Sequence, residues 1–168
     1  ILGSVQDDIR VLILKLSDRL HNMRTLDSMK PQKQWKIASE TQFFFAPLAG
    51  RLGLYKVKSE LEDLAFKFLN PLEYSNLEQN LESDRTRTKN SADFFMEECK
   101  KIVSARFGYA VRWDIRYRKP YSIWREMQER SCDFYHVPFK HYIRAVFRAE
   151  DVEKVTGMKM EDQDIALK

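Results

Sequence analysis

Residues Asp7 to Leu26, DDIRVLILKLSDRLHNMRTL, decide the fold because they carry the pattern of one amphipathic helix against which neighbouring segments can pack. Apolar side chains recur every three or four residues along one stripe, at Ile9, Leu12, Leu16, Leu20 and Met23. This spacing is typical of a helix that buries one face. Further apolar residues lie off the stripe, at Val11, Ile13 and Leu14. The sequence therefore predicts that the first turns of this helix are buried on nearly all sides.

A second row on the same predicted helix is polar. Asp18, Asn22 and Thr25 recur every three or four residues, which stacks a carboxylate, an amide and a hydroxyl on one face. A carboxylate that loses water must gain a cation or hydrogen-bond donors. Three interpretations of Asp18 follow: it binds a metal, it pairs with Arg19 or Arg24, or it is an exposed surface residue. For an isolated Asp on a helix, the last two are the commoner cases.

Length and composition indicate an ordered protein. The chain has 168 residues, of which 43% are hydrophobic, and this is enough for one ordinary domain or two small ones. Its 29 basic and 25 acidic residues give a net charge of +4, which suits an anionic ligand without requiring one. No apolar run approaches eighteen residues, and the first residues resemble neither a signal nor a transit peptide. Cys99 and Cys132 form no CxxC pattern, so a reducing, cytoplasmic location is expected.

Two more helices are predicted after the first. One begins near Pro31, and its apolar residues should pack inward on a broad face, namely Ile37, Phe44 and Leu48 with Trp35, Phe43 and Pro47 beside them. Gly50 and Gly53 frame the next turn. The following helix spans Lys56 to Leu69, and Asn70 and Pro71 end it. Its charged residues lie mostly off the apolar stripe, which predicts a solvated face for most of Lys58, Glu60, Glu62 and Asp63.

The second half of the chain changes character. Tyr74 to Phe107 reads as a long helix whose middle, residues 82–90, is polar throughout, while Phe94, Phe95 and Met96 are expected in a core. Residues 109–117 alternate as a half-buried strand with a mostly basic face. The pattern continues with a helix from Pro120, a strand over Tyr142 to Phe147, and helices over Glu150 to Val155 and Glu161 to Leu167. The predicted fold class is mainly α: the remnant of a helical bundle, a helical linker, then the start of a small α+β domain.

Three long strings together resemble one known family: KLSDRLHNMRTL, MKPQKQWKIASET and FAPLAGRLGLYKVKSELEDLAF. They are similar to the hydrolase domain of the RelA/SpoT family, enzymes of the alarmone (p)ppGpp, and the similarity covers roughly Asp7 to Tyr74. The resemblance implies a helical, metal-dependent phosphohydrolase domain of the HD type. It also implies that Asp18 is a Mn²⁺ ligand and that Asn22 and Thr25 contact the bound nucleotide. His21 is left out of the metal set because one His on such a helix is more often a structural residue.

The sequence departs from the family at the metal site. The family's other ligands, a His and a His-Asp pair followed by a Glu-Asp pair, lie upstream of this motif, and the chain begins at Ile1 without them. His136 and His141 lie far downstream and lack metal-ligand spacing to Asp18. We therefore expect the chain to be a piece of a longer enzyme, with the catalytic residues upstream, and to be inactive alone.

A second resemblance follows the long helix. IRYRKPYSIWREMQ, Ile115 to Gln128, is similar to the opening of the same family's synthetase domain. It implies that Arg116, Arg118 and Ser122 bind nucleotide phosphates, and guanidinium groups before a helix are suited to that task. However, Glu126 stands where synthetase-competent members have Lys, and Phe139 aligns with a metal-binding Asp. A degenerate synthetase (GTP pyrophosphokinase) domain is predicted, since Phe cannot coordinate Mg²⁺.

These observations give a domain division and two functional hypotheses. The predicted domains are residues 1–72, the distal part of the hydrolase domain, 73–106, a linker, and 107–168, the start of the synthetase-like domain. The first hypothesis is a (p)ppGpp 3′-pyrophosphohydrolase of the stringent response, with (p)ppGpp, GDP and GTP as ligands, a ribosome or regulatory partner bound through regions outside this chain, and no membrane partner. The alternative is a non-catalytic module that binds a nucleotide or RNA through the basic strand and the rings of Trp113, Tyr117, Tyr121 and Trp124. A net charge of +4 is weak for nucleic acid.

Overall fold

A computed structural model describes residues 9–107 and 111–148, together with residues 150, 153 and 154. The helices are α1 (Ile9–Arg24), α2 (Pro31–Glu40), α3 (Ala46–Arg51), α4 (Tyr55–Leu69), α5 (Pro71–Phe107) and α6 (Pro120–Arg130). Strands β1 (Arg112–Tyr117) and β2 (His141–Val146) pair antiparallel, with Ile115 opposite Ile143. The predicted fold class is confirmed, including the turn at Gly53, whose φ is 72°. None of the helices in the described part of the chain is both long and apolar enough to cross a lipid bilayer.

The chain forms two compact units. One contains Ile1–Asn80 and Lys119–Val137, and the other contains Leu81–Arg118 and Pro138–Lys168. Their boundary at residues 80 and 81 falls inside α5, so this helix contributes to both units. The domain boundaries predicted from the sequence, after residues 72 and 106, rest on the polar middle of the long helix, the change of period after Gly108 and the family resemblance, and they stay a prediction.

The core of the first unit combines large residues of α1 with small residues of the helices around it. Its fully buried members are Leu16, Met23, Leu26, Ala38, Ala46, Ala49, Leu61 and Ala65. Burial of each Leu or Met side chain contributes roughly 1.5–3 kcal/mol. Alanines at four of these positions leave room for helix backbones to approach closely. The predicted apolar stripe of α1 is confirmed at Leu16 and Met23, and Leu20 packs partly against the same core.

The start of α1 is less buried than the sequence suggests. Ile9 is 59% exposed, Ile13 43% and Leu14 69%, so the prediction that these turns are buried on nearly all sides is wrong. Only one face of α1 packs against the described helices, through Leu16 and Met23. The other faces keep their apolar residues open.

A π-helical turn over Thr41–Phe45 joins α2 to α3 and changes which residues face inward. A π turn holds an extra residue, so it rotates the following side chains relative to a regular helix. Phe43 is 81% exposed and Trp35 63% exposed, while Ala38, Thr41 and Ala46 are fully buried. The predicted broad inward face of aromatic residues is therefore wrong for Trp35 and Phe43, and Phe44 is exposed as well.

Helix α6 is held in the first unit by a buried carboxylate. Asp63 of α4 accepts a 3.0 Å hydrogen bond from the backbone N–H of Tyr121, and Gln42 of the π turn donates to the Tyr121 hydroxyl at 2.8 Å. The rings of Tyr121 and Trp124 pack against Phe66 of α4, with centroids 5.7 and 5.0 Å away. Asp63 is only 9% exposed, so the prediction of a solvated face is wrong for this residue.

Burial changes the titration of two groups at this contact. Desolvation raises the pKa of Asp63, although the hydrogen bond from the Tyr121 backbone and the positive charge of Lys119 oppose the rise. Desolvation also raises the pKa of Tyr74 to about 12, and the negative charge of Asp63 adds to this shift. Both changes follow from placing polar groups among packed aromatic rings.

Described residues of the second unit form the paired strands and the distal part of α5. Asp114 of β1 accepts hydrogen bonds from Arg144 of β2 at 2.6 Å and from Arg116 at 3.1 Å. Both bonds lower the pKa of the Asp114 carboxyl, and the bond from Arg144 has the larger effect. Phe94 and Phe95 are 69% and 60% exposed, so their predicted place in a core is wrong. One helix and a two-stranded ribbon offer little surface to bury them. The strands lie within one residue of the predicted ends at Tyr117 and Phe147, whereas the helices predicted over 150–155 and 161–167 lie largely outside the described residues.

We expect Asp63→Ala to lower the free energy of unfolding by about 1–3 kcal/mol, because the Tyr121 N–H loses its acceptor. Asp63→Asn keeps an oxygen acceptor and removes the charge, so it should cost less than Asp63→Ala at neutral pH. The raised pKa of Asp63 means that its contribution to stability is full below the unfolded value of about 3.9 and is lost as the pH rises through the folded value.

Urea denaturation of the three proteins between pH 4 and pH 7 measures this effect. Stability of the Asn variant relative to wild type should increase as the pH rises across the folded pKa of Asp63. Equal losses in the Asn and Ala variants at every pH would contradict the assignment.

Candidate functional site

The three residues of the predicted hydrolase site lie on one open face, Asp18 and Asn22 on α1 and Thr25 directly after its last residue. Asp18, Asn22 and Thr25 are all exposed, and the Asn22 amide donates to Asp18 Oδ2 at 3.0 Å. The Thr25 hydroxyl donates to the His21 carbonyl at 3.2 Å. Leu16 is buried on the opposite side of the helix. The structure thus brings the three polar side chains together in a row that faces away from the core of the first unit.

The basic residues beside Asp18 are paired with other carboxylates. Arg19 bonds Glu40 at 3.2 Å and lies over the Phe45 ring at 4.0 Å, and Arg24 bonds Glu60 at 2.7 Å. The interpretation that Asp18 pairs with Arg19 or Arg24 is therefore wrong. Two interpretations remain: Asp18 is a metal ligand, or it is a plain surface residue. Both agree with the structure, in which the exposed Asp18 carboxylate accepts a hydrogen bond from the Asn22 amide.

The same ion pairs connect α1 to two neighbouring helices. Arg24 reaches α4 through Glu60, and its hydrogen bond lowers the pKa of that carboxyl, with burial opposing the shift. Arg19 reaches α2 through Glu40. Both contacts agree with the rotation that the burial of Leu16 and Met23 gives to α1, which turns the polar row away from the core.

The residues predicted for the synthetase-like site lie in both units. In the second unit, Asp114 holds the Arg116 guanidinium at 3.1 Å, and the Arg118 backbone N–H bonds the Lys140 carbonyl at 2.9 Å. In the first unit, Ser122 lies in the first turn of α6. Of the two predicted departures from a working synthetase, Glu126 pairs with Arg130 at 2.8 Å. Phe139 is 84% exposed at a φ of 51°, and its ring offers no metal ligand.

Most of the aromatic rings that the nucleic-acid hypothesis needs are in contact with other side chains of the protein. Tyr121 and Trp124 pack on Phe66 inside the first unit, and Arg85 lies 4.1 Å above the ring of Tyr117 inside the second. A stacking surface for bases needs open ring faces. Three of the four predicted stacking residues therefore have other partners.

Sequence reasoning missed two residues that position α6. Asp63 and Gln42 bond Tyr121 across 58 and 79 residues of sequence. Asp63 resembles its charged neighbours on α4, and Gln42 resembles any polar residue of a helix. No local signal distinguishes them, because their roles depend on a distant part of the chain.

Comparisons with known proteins show which family this chain is similar to. Residues 1–55 match the family model described as the HD domain. A guanosine-3′,5′-bis(diphosphate) 3′-pyrophosphohydrolase of Spiroplasma citri is 36% identical over 92% of this chain and 21% of the relative. A GTP pyrophosphokinase of Myxococcus xanthus is 38% identical over 78% of this chain and 17% of the relative. The chain belongs to the RelA/SpoT family.

One further relative is more similar to this RelA/SpoT chain over a shorter stretch. A probable guanosine-3′,5′-bis(diphosphate) 3′-pyrophosphohydrolase of Synechocystis is 59% identical over 71 residues, which are 42% of this chain and 9% of the relative. The chain spans about a fifth of the length of the first curated relatives that it matches.

Hydrolases of the HD family imply a divalent metal, and the described RelA/SpoT residues do not by themselves fit one. They contain no group of three or more His, Cys, Asp or Glu side chains placed to hold a metal ion. Asp18 contributes one carboxylate, its neighbour Asn22 presents the donor side of its amide, and Thr25 bonds to backbone. Hard divalent cations need several oxygen ligands. Asp18 can be at most one member of such a set.

We expect Asp18→Ala to change the free energy of unfolding by less than about 0.5 kcal/mol, because the side chain is exposed and makes no ion pair with Arg19 or Arg24. By contrast, Leu16→Ala on the opposite face should cost about 2–5 kcal/mol. Chemical denaturation of both variants tests this. A loss above 1 kcal/mol for Asp18→Ala would show that the residue has a structural role.

Proposed function

We propose that the protein carrying this chain is a (p)ppGpp 3′-pyrophosphohydrolase. Water would cleave the 3′-diphosphate from (p)ppGpp, releasing pyrophosphate and leaving GDP or GTP. The observation that carries the proposal is the row Asp18, Asn22 and Thr25 on the face of α1 opposite the core, in a chain whose relatives bear this activity in their names.

In this proposal the three residues have separate roles. Asp18 is one ligand of Mn²⁺, which supplies Lewis acidity when bound, and the other ligands come from outside these 168 residues. Asn22 and Thr25 orient the guanosine or ribose through neutral hydrogen bonds, and Asn22 also holds the Asp18 carboxylate at 3.0 Å. The chain alone is therefore expected to be inactive.

The synthetase-like part is proposed to be inactive, with domain boundaries after residues 72 and 106. Arg116, Arg118 and Ser122 would be remnants of a nucleotide site. The exposed Phe139 and the Glu126–Arg130 pair support this view, because phosphoryl transfer from ATP needs a metal ligand and cations that these side chains do not supply. We further propose a cytoplasmic location, and a ribosome or other regulatory partner that binds through regions outside this chain.

Hydrolysis of (p)ppGpp with Mn²⁺ by a longer protein that includes this chain tests the first proposal. We expect Asp18→Ala to lower kcat/KM by at least about 100-fold, because even the partners of metal ligands are worth about 10–100-fold. Asp27→Ala is the matched control, since Asp27 is an exposed carboxylate that pairs with Lys67 at 3.2 Å. Equal turnover in the Asp18 variant and the control would end the proposal.

Thr25→Ala and Ser17→Ala form a second matched pair. Both hydroxyls bond the carbonyl four residues earlier on α1, at 3.2 and 2.9 Å. We expect only Thr25→Ala to raise KM for (p)ppGpp, by about 3–10-fold, the value of one neutral hydrogen bond. If both variants have the same KM, Thr25 does not contact the nucleotide.

The synthetase proposal has its own measurement. The longer protein should transfer no pyrophosphate from ATP to GDP or GTP in the presence of Mg²⁺. Product formation above the level without enzyme would contradict it and leave the hydrolase proposal intact.

A further inference from the structure

A pocket of about 190 Å³ lies inside the first unit, apart from the Asp18 row. Helix α4 contributes Lys58, Ser59 and Glu62, and the start of α6 contributes Lys119, Ser122 and Arg125. The pocket is larger than one water molecule needs. Of these six, only Ser122 belongs to the residues predicted from the synthetase resemblance, so its cations have no assigned role.

The charge of the lining favours an anion. Lys58, Lys119 and Arg125 stand against the single carboxylate of Glu62 among the described lining residues. Glu62 Oε1 lies 3.7 Å from Lys58 Nζ, a long pair that leaves the ammonium group able to donate elsewhere. Arg125 similarly lies 3.5 Å from Glu129. Among the lining residues alone, three cations stand against one carboxylate. Outside the lining, Glu129 faces Arg125, and the charges of Glu60 and Asp63 act on Lys119.

The backbone around the pocket holds its cations in place. A Cβ on Gly50 would lie 3.1 Å from Cδ of Lys58, so the glycine lets the lysine stem lie directly on the end of α3. Lys119 precedes α6, whose first turn is fixed because Asp63 accepts the Tyr121 N–H. That N–H is already bonded, so recognition of an anion would rest on the side chains and not on the helix end.

We propose that this pocket binds the phosphoryl group of a small anion, in a site separate from the hydrolase row. Lys58, Lys119 and Arg125 would donate charge-assisted hydrogen bonds to its oxygens, and the serine hydroxyls would add neutral ones. Two tyrosine rings also line the pocket, but their apolar surface cannot take the place of these contacts. A phosphoryl group that leaves water needs cations to offset its lost hydration. Inorganic pyrophosphate and the phosphate ester of a sugar share this chemistry.

Calorimetric titration of the 168-residue chain at low salt tests the proposal without any turnover, so its failure does not touch the hydrolase proposal. Inorganic pyrophosphate and ribose 5-phosphate are the two probes. We expect saturable binding of at least one, and the tighter of the two identifies the source of the phosphoryl group. Lys58→Gln and Lys119→Gln should each weaken binding by about tenfold, the value of a charge-assisted hydrogen bond.

Matched controls separate a built site from general surface charge. Lys56→Gln removes an exposed lysine of the same helix outside the pocket, and it should leave the affinity unchanged. Glu62→Gln should tighten binding, whereas Glu73→Gln, an exposed acid at the start of α5, should not. Absence of saturable binding, or equal effects of the pocket variants and their controls, would overturn the proposal. Thermal melts of each variant verify that the fold is kept.

Discussion

The packing of one face of α1 against α4 is the constraint on which the first unit depends. Leu16 and Met23 are almost completely buried on that face, and Leu61 and Ala65 of α4 belong to the same buried cluster. Because only the stripe of Leu16 and Met23 packs against the described helices, its burial sets the rotation of α1 about its axis as well as its distance from α4. The Arg24–Glu60 and Arg19–Glu40 pairs agree with this rotation and add to it. Together they determine that Asp18 points away from the core.

Much of the fold was predictable because helix signals are local. Pro31 and Pro120 each begin a helix as predicted, and the alternation after Gly108 marks β1. Pro71 follows the end of α4 as predicted, and it also begins α5, three residues before the predicted start at Tyr74. Burial was predicted less well, because it depends on partners. The π turn at Thr41–Phe45 exposes Phe43, and no periodic pattern reveals an extra residue in a turn. The open side chains of Ile13 and Leu14 show that apolar character alone does not say what covers a residue.

In the candidate site, too, local relations were predictable from the sequence and contacts with distant residues were not. Spacing on one helix was enough to place Asp18, Asn22 and Thr25 on a common face, because that relation is internal to α1. The contact of Asp63 with α6 was not predictable, since it joins residues 58 positions apart. Its neighbours Glu60 and Glu62 differ from it only in rotation about α4, so the helix pattern could not single out the buried carboxylate.

The distribution of charge around Asp18 argues against a merely structural role. Two arginines follow it in sequence, Arg19 and Arg24, yet each is paired with a carboxylate from another helix. An exposed pair with either would have contributed only about 0–1 kcal/mol, so its absence costs little stability. Without such a pair, these neighbours do not neutralise the charge of the Asp18 carboxylate, and the Asn22 amide sets its direction. A side chain arranged in this way can bind a cation that arrives from elsewhere, because no arginine has to be displaced first.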